Sequence, residues 1–244
     1  MKIEALLREL FPEGHTIEVR DGLITGFAAT SAGEIAVMGT SDHLAIGVES
    51  ALALAGFALE VVSKRPGCPL LMLVDTQGQR LSKKDELLGI NGYLAHLVKS
   101  LELARLHGHR LLSLVYDEAV SGGFLSFGLM ADEIHALVEA KVRVMNLPAM
   151  ARVTKLPLEL LQELSSTSPA FAPGVENFFM LGGVKSVWKS PLVDELNAAL
   201  DRQGTSDYRR DDGLARHGRQ LAGPISRQVL LNCVICADVT RRNH

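Results

Sequence analysis

Two adjacent glycines, Gly122-Gly123, are the strongest chemical signal in the sequence. They follow an apolar run typical of a buried strand and precede an apolar stretch, Phe124–Met130, that favours a short helix. Backbone N–H groups in the first turn of a helix have no partner within the helix, and the helix dipole gives them a positive potential. Such groups bind an oxyanion, a carboxylate or a phosphate. Tight strand-to-helix turns also use glycine for steric reasons alone, and that explanation stays open.

A second polar loop, Asp75–Arg80, also follows an apolar run. Asp75 ends the strand, and Gly78 lets the backbone turn sharply. A turn capped by the side chains of Asp75 and Thr76 explains the same pattern without any function. Because the carboxyl ends of parallel strands meet at one edge of a sheet, we expect this loop and Gly122-Gly123 to lie at the same edge.

Basic side chains follow the second loop. Arg80, Lys83 and Lys84 would attract the carboxylate of a substrate or the acidic surface of a carrier protein. A solvated basic loop is the simpler explanation for the two lysines, and the sequence does not decide for Arg80.

The segments that position these loops alternate between strand-like and helix-like patterns. Continuous apolar runs at Leu70–Val74 and Leu111–Val115 predict strands that are buried on both faces. Helices are predicted over residues 42–64, with Asp42 as the N-cap, and over residues 85–107. This order implies parallel strands joined by right-handed crossovers, and therefore an α/β fold.

The remaining predicted elements are shorter. They are a hairpin of strands at Leu23–Ala28 and Glu34–Met38, strands at Glu133–Val138, Val142–Met145 and Val184–Trp188, and helices at Leu156–Leu164, Val175–Leu181 and Pro191–Leu200. Residues 201–228 are polar and rich in Arg, Asp and Gly, and a lid, a linker and a partner-binding arm all fit them. We therefore predict one domain over residues 1–200 and a polar C-terminal extension over residues 201–244.

Composition excludes several classes of function. The 244 residues carry 25 Lys and Arg against 28 Asp and Glu, and only 5% of them are aromatic. A basic surface and base-stacking aromatics are thus both missing, so no nucleic-acid binding is expected. The first residues do not form a signal peptide, and the most apolar stretch, residues 43–62, contains Glu49 and Glu60, so no membrane span is predicted. Three cysteines cannot all pair, which favours a reducing compartment, and we expect a cytoplasmic protein.

Two other arrangements suggest chemistry but are less well supported. Ser126 has surroundings like those of a peptidase nucleophile, but the next histidine, His135, falls within or beside the following strand. A packed helix hydroxyl is the simpler explanation. Cys233 and Cys236 have the spacing of zinc and thiol–disulfide sites, yet further ligands are missing and the motif lies near the chain end. We interpret these cysteines as apolar packing.

Together, Asp75-Thr76-x-Gly78, the long helix, the next strand and Gly122-Gly123 resemble the carboxyltransferase branch of the crotonase (ClpP-like) superfamily. The run Leu71–Asp132, with Asn146-Leu147-Pro148-Ala149, is most similar to the gamma subunits of malonate decarboxylases, in particular of the biotin-independent kind. Glutamines replace the proline and the aromatic residue that usually flank the loop glycine in the superfamily. This departure fits the malonate decarboxylase branch better than the acyl-CoA carboxylases. The resemblance extends over about residues 23–200.

The resemblance implies a crotonase-like fold, which is a spiral of ββα units in a single domain with a helical C-terminal region. It also implies an active site at the interface with a homologous beta subunit. There, a malonyl group on the phosphopantetheine-type prosthetic group of an acyl-carrier protein subunit would lose CO₂ and become an acetyl thioester. The wider complex would include a malonyl/acetyl transferase subunit. This chain itself is expected to bind no cofactor and no metal.

By the same analogy, the amides of Gly123 and Phe124, positioned by Gly122, would form an oxyanion hole that stabilises the enolate left by decarboxylation. The residues expected to line the substrate are Asp75, Thr76, Gln77, Gly78, Arg80 and Ser121. Which substrate oxygen this hole holds stays open. The final proton would come from Tyr116, Ser121 or water, and the sequence does not rank them.

Two alternatives to direct decarboxylation stay open. In the first, the chain is the carboxyltransferase subunit of a biotin-dependent decarboxylase, and the carboxyl group passes to biotin on another protein. In the second, the chain is a non-catalytic structural subunit whose loops complete the partner's site. The number of subunits in the complex does not follow from the sequence.

Overall fold

The computed structural model describes residues 1–145, 147–167, 174–202, 207–218 and 220–231. Within these ranges eight strands form one mixed sheet in the order β1-β2-β3-β4-β5-β6-β8, with β7 paired to β5. The strands are β1 (Glu18–Arg20), β2 (Leu23–Thr30), β3 (Gly33–Thr40), β4 (Leu70–Thr76), β5 (Leu111–Val120), β6 (Glu133–Leu137), β7 (Lys141–Arg143) and β8 (Ser186–Trp188). The helices are α1 (Ile3–Leu10), α2 (Val48–Lys64), α3 (Lys83–Leu87), α4 (Ile90–Leu106), α5 (Ser121–Ser126), α6 (Leu147–Thr154), α7 (Leu158–Thr167), α8 (Val175–Met180), α9 (Leu192–Asp201), α10 (Arg209–Ala215) and a further helix over residues 222–231.

The strand pairing confirms the predicted α/β organisation. β2 and β3 form the expected antiparallel hairpin. β3, β4, β5, β6 and β8 run parallel, so their carboxyl ends lie at one edge of the sheet. Helices connect successive parallel strands: α2 lies between β3 and β4, α3 and α4 between β4 and β5, and α5 between β5 and β6.

Alternate residues of β4 fill two separate cores, which explains why this strand is apolar throughout. Leu70, Met72 and Val74 belong to a cluster that includes apolar residues of α2 and α4. Leu71 and Leu73 belong to a second cluster with residues of α1 and α9. Successive side chains of a strand point to opposite faces, so a strand covered on both faces needs an apolar residue at every position.

Two predicted helix boundaries are wrong. α2 begins at Val48 rather than at Asp42, because Asp42 and His43 have left-handed backbone angles, with φ of 55° and 52°, and belong to a loop. The N-cap is Gly47, whose N–H donates to the Ser50 hydroxyl at 2.8 Å. The single helix predicted over residues 85–107 is two helices, α3 and α4, because Gly89 turns the chain with φ of 78°.

The shorter elements of the C-terminal part are confirmed, with ends that shift by a few residues. α10 contacts the main body, because Arg216 donates to the carbonyl of Phe179 at 2.7 Å and Lys185 pairs with Asp212 at 2.9 Å. The domain boundary near residue 200 stays a prediction. Cys233 and Cys236 lie outside the described residues. Across the described ranges, no helix has both the length and the apolar character that crossing a bilayer requires.

Candidate active site

Three loops meet at the carboxyl edge of the parallel strands. They follow β3, β4 and β5. The loops after β4 and β5 were predicted to lie at this edge, and the loop after β3 was not. The Ile46 N–H donates to the carbonyl of Gly78 at 2.8 Å, and the Arg80 N–H donates to the carbonyl of Ile46 at 2.8 Å. The loop after β3 and the loop after β4 therefore form a short parallel bridge beside the start of α5.

The loop after β4 touches the start of α5 through glycines. A Cβ atom on Gly123 would lie 2.7 Å from the carbonyl carbon of Gly78 and 2.9 Å from its Cα atom. A Cβ atom on Gly78, which also has φ of 106°, would lie 3.1 Å from the Cβ atom of Ser121. Side chains are thus excluded where the two loops meet. We call Gly78, Ser121, Gly122 and Gly123 the glycine cradle.

The cradle places the start of α5 as the sequence predicted. α5 begins at Ser121 after its N-cap Val120, so the N–H groups of Ser121, Gly122 and Gly123 have no acceptor within the helix. The N–H of Phe124 is the first one placed to bond a helix carbonyl, that of Val120. Ser126 is largely buried, and its hydroxyl donates to the carbonyl of Gly122 at 2.7 Å. Ser126 is therefore a packed helix hydroxyl, as the simpler explanation predicted. Its hydroxyl is not placed to act as the nucleophile of a peptidase.

Asp75 is buried and accepts three hydrogen bonds. Its carboxylate lies 2.6 Å from Nδ1 of His43, 2.9 Å from the His43 N–H and 3.2 Å from the Glu118 N–H. All these donors belong to the loop after β3 or to the end of β5. Asp75 therefore ties the three strand ends together and orients the ring of His43.

Thr76 and the two glutamines shape the rest of this loop. The Thr76 hydroxyl donates to the carbonyl of Leu44 at 2.6 Å, and it accepts from the Gly78 N–H at 3.1 Å. A side chain on Gly122 would meet the amide of Gln79, so this glutamine covers the cradle from one side. Gln77 is exposed, which leaves its amide available to a ligand or a partner.

Arg80 connects the loop after β4 to two carboxylates, those of Asp85 and Glu49. Its guanidinium donates to both oxygens of Asp85, at 2.7 and 2.8 Å, and to Glu49 at 2.5 Å. Asp85 is fully buried and also accepts from the Val48 N–H at 2.9 Å. The hydrogen bonds from Arg80, followed by those from Val48 and Ser82, lower the pKa of Asp85. In this geometry Arg80 ties the loop to the start of α2 and to α3.

A cleft of about 720 Å³ opens beside Asp75. Its lining residues are Met1, Lys2, Ile3, Glu4, Val19, Ser41, Asp42, His43, Asp75, Tyr116 and Asp117. Ligand pockets typically have volumes of about 300–1,000 Å³, so the cleft is large enough for a small acyl group. Asp75 is the predicted site residue that lines the cleft. The residues of the glycine cradle do not line it, although both are formed at the carboxyl edge of the parallel strands.

Sequence reasoning missed His43. It lies 32 residues before Asp75 and was assigned to the first turn of a helix. A signal for it existed, because β3 is followed by Asp42-His43 at the same edge as the two loops that were recognised. Tyr116, one of three proton sources considered, is buried, and its hydroxyl donates to the carbonyl of Thr40 at 2.9 Å. Burial, then the charges of Asp75 and Asp42, raises the pKa of Tyr116.

The fold and the glycine cradle define the class of protein. The structure resembles transcarboxylase 12S, crystallised with methylmalonyl-coenzyme A and methylmalonic acid, with a TM-score of 0.69 and 18% identity over 83% of this chain and 42% of that chain. The chain has the crotonase-like carboxyltransferase fold, and the predicted fold class is confirmed.

The family is narrower than the class. The model of the family described as malonate decarboxylase gamma subunit matches residues 41–232, which is most of the chain. The chain belongs to this family, as the resemblance predicted. The structure is also similar to a chain of the Pseudomonas malonate decarboxylase MdcD-MdcE hetero-dimer, with a TM-score of 0.75 and 21% identity over 93% of this chain and 97% of that chain.

A relative from Malonomonas rubra adds a second kind of chemistry. The malonyl-S-ACP:biotin-protein carboxyltransferase MADD is 40% identical over 132 residues, which are 53% of this chain and 44% of that relative. The chain therefore matches less than half the length of this relative.

Proposed function

We propose that this chain is one of two homologous subunits that together decarboxylate a malonyl thioester to an acetyl thioester. The observation that supports this most directly is the glycine cradle. Gly78 and Gly123 approach so closely that neither accepts a side chain, and the approach holds the start of α5 at the sheet edge. The amides of Gly123 and Phe124, positioned by Gly122, act as the oxyanion hole.

The chemistry needs such a hole. When the bond between the carboxylate carbon and C2 breaks, CO₂ leaves and its electron pair forms a thioester enolate. The charge of the enolate develops on the thioester oxygen. A single well-placed donor to such an oxygen contributes about 2.7–4 kcal/mol to catalysis. A proton must then reach C2 to complete the acetyl group.

The other predicted site residues act mainly through the loop in this proposal. Gln77 and Ser121 face the substrate or the partner. Thr76 and Gly78 keep the loop against α5, and Asp75 orients His43. Arg80 positions the loop through its ion pairs with Asp85 and Glu49, which compensate its charge.

The proposed partners follow the family. A homologous beta subunit completes the active site, by analogy with the MdcD-MdcE hetero-dimer of Pseudomonas. The malonyl group arrives on the phosphopantetheine-type group of an acyl-carrier protein. The name of the Malonomonas relative gives malonyl-S-ACP as the carboxyl donor of that protein. A malonyl/acetyl transferase subunit loads this carrier. This chain holds no cofactor of its own, and the complex works in the cytoplasm.

Transfer of the carboxyl group to biotin is the second candidate. The 40% identity with a biotin-protein carboxyltransferase over about half of this chain favours it. Both reactions pass through the same enolate and need the same hole, so the fate of CO₂ separates them.

The test is CO₂ release by the purified pair of this chain and its beta subunit, with malonyl-carrier thioester and with avidin present. Release that survives avidin supports direct decarboxylation. Acetyl thioester that forms without CO₂ release, only with a biotin protein present, and is lost to avidin supports carboxyl transfer to biotin. A pair that assembles but forms acetyl thioester in neither condition contradicts both reactions and favours the structural-subunit alternative.

A variant pair tests the hole itself. Gly123→Ala puts a Cβ atom against the backbone of Gly78, so it displaces the amides of α5. We expect kcat to fall about 10²–10³-fold. Gly56→Ala in α2 is the matched control, because its Cβ atom meets nothing within 4 Å. Equal activity of the two variants would show that the cradle does not form the hole.

A further inference from the structure

We propose that His43 is the acid that protonates C2 of the enolate, and that Asp75 is its positioning residue. This inference rests on the proposed function and deepens it, because it assigns the proton donor that the sequence left open. It holds for direct decarboxylation and for transfer to biotin, since both produce an acetyl thioester from the same enolate.

Asp75 fixes the orientation of the His43 ring. Nδ1 of His43 lies 2.6 Å from Oδ1 of Asp75. A carboxylate only accepts hydrogen bonds, so Nδ1 carries a hydrogen and Nε2 is the nitrogen that exchanges a proton. A second bond, from the His43 N–H to Oδ2 of Asp75 at 2.9 Å, fixes the backbone beneath the ring.

The ring of His43 is accessible from the cleft. The side chain of His43 is 49% exposed and lines the cleft, whereas the side chain of Asp75 is 5% exposed. The ring thus meets the cleft while its carboxylate partner stays inside the protein. General acids act on a substrate only when the donating nitrogen reaches it directly or through one water.

The His43–Asp75 pair is connected to the glycine cradle by short segments of the chain. Asp75 is separated from Gly78 by three residue steps, which span at most roughly 11 Å. Gly78 touches Gly123 directly. Asp75 also accepts from the Glu118 N–H, three residues before Ser121. Two short chain segments therefore connect the His43–Asp75 pair to the hole at the same edge of the sheet.

The backbone at His43 adopts an uncommon conformation. Asp42 and His43 are consecutive non-glycine residues with left-handed φ angles of 55° and 52°. Such angles are uncommon outside glycine and are found often at active sites. Here the strain turns the His43 N–H and its ring toward the same carboxylate.

The proposed step is a proton transfer from His43 to C2 of the enolate. The protonated ring donates the Nε2 hydrogen to C2, a C–H bond forms and the enolate electron pair is consumed. The ring becomes neutral, keeps its Nδ1 hydrogen on Asp75, and takes a new proton from water. The charged or titratable groups that face the ring across the cleft are the amino group of Met1, Lys2, Glu4, Asp42, Asp75, Tyr116 and Asp117.

The experiment uses His43→Gln in the complex with the beta subunit. Glutamine keeps a donor for Asp75 but carries no transferable proton, and the half-exposed position tolerates the change. We expect kcat for acetyl thioester formation to fall about 10²-fold with KM changed less than threefold. The control is His96→Gln, an exposed histidine on α4.

A second measurement does not depend on CO₂ release. Acetyl thioester is incubated with the complex in D₂O, and deuterium in its methyl group is measured by mass spectrometry. The parent complex and His96→Gln should exchange, and His43→Gln should not. Asp75→Asn should reduce exchange and change the pH profile, because the ring loses its orientation. If His43→Gln equals the parent complex in both assays, the inference is overturned. If the parent complex itself releases no CO₂, the proposed function fails instead.

Discussion

Two histidine–carboxylate pairs in this molecule use the same groups in opposite surroundings. His43 is half exposed beside a cleft and meets Asp75 through Nδ1. His135 is fully buried on β6, and its Nε2 lies 3.4 Å from Oε2 of Glu133. The ring of His135 also stacks on Trp188 with centroids 4.6 Å apart. Burial lowers the pKa of His135, against the effect of Glu133, and this favours the neutral ring.

The two carboxylates also differ. The carboxylate of Asp75 accepts hydrogen bonds from the His43 ring and from two backbone N–H groups. Among these donors, the His43 ring is the side chain. Glu133 accepts from Arg110 at 3.1 Å and from Arg202 at 2.9 Å. Burial alone would raise the pKa of Glu133, but His135 and Arg202 outweigh it and lower the value to about 2. The two pairs contain the same types of residue, so they differ in whether solvent or a substrate can reach the histidine ring.

The largest expected effect on stability is that of Glu133→Ala. It leaves Arg110 and Arg202 without their carboxylate at a mostly buried position. Breaking a buried ion pair from one side costs about 3–5 kcal/mol. The free energy of unfolding in urea, followed by the fluorescence of the single tryptophan, Trp188, measures the loss.

The control is Glu34→Ala, whose partner Arg65 is about half exposed, and this change should cost less than about 1 kcal/mol. Activity per assembled complex should match the parent protein in both variants. A large loss of kcat in folded Glu133→Ala would contradict the assignment of the buried pair as structural, because the pair would then take part in catalysis.

Arg80→Ala should have a smaller effect that reaches both stability and activity. The fully buried Asp85 loses two hydrogen bonds from the guanidinium, which we expect to cost about 2 kcal/mol. The loop that holds Gly78 against Gly123 loosens, so kcat should fall about tenfold. Lys84→Ala, which removes an exposed ion pair with Glu49, is the control and should change neither quantity much. A kcat that stays at the parent level in Arg80→Ala would show that the loop does not depend on this network.

The smallest expected effect is on the pH dependence of stability. Because the folded state lowers the pKa of His135, the unfolded chain binds more protons than the folded chain below the ordinary histidine pKa of about 6.5. This group therefore makes stability fall as pH drops from about 7 to 5. His135→Gln should reduce that slope by up to about 1 kcal/mol per pH unit while kcat is kept. Urea midpoints at pH 7, 6 and 5 give the slope, and an unchanged slope would contradict the assignment of His135 as a buried neutral ring.

Much of the fold could be predicted because its signals are local. The apolar runs of β4 and β5 predicted buried parallel strands, and the hairpin of β2 and β3 followed from two short β-rich runs. The start of α5 at Gly122-Gly123 was also predicted, since a glycine pair between a strand and an apolar helix is a local pattern. The break at Gly89 was missed although glycine marked it, because the apolar spacing on both sides continued.

The α/β class, the alternation of strands and helices and the two glycine loops follow from the sequence alone, because each depends on residues close together in the chain. Which side chains are in contact depends on the tertiary structure. His43 left the predicted helix because Asp75, 32 residues away, accepts both its N–H and its ring hydrogen. The tertiary structure likewise turned Arg80 toward Asp85 and Glu49, and gave the two histidine–carboxylate pairs their opposite surroundings. Burial and long-range hydrogen bonds decide such contacts, and neither is encoded in local spacing.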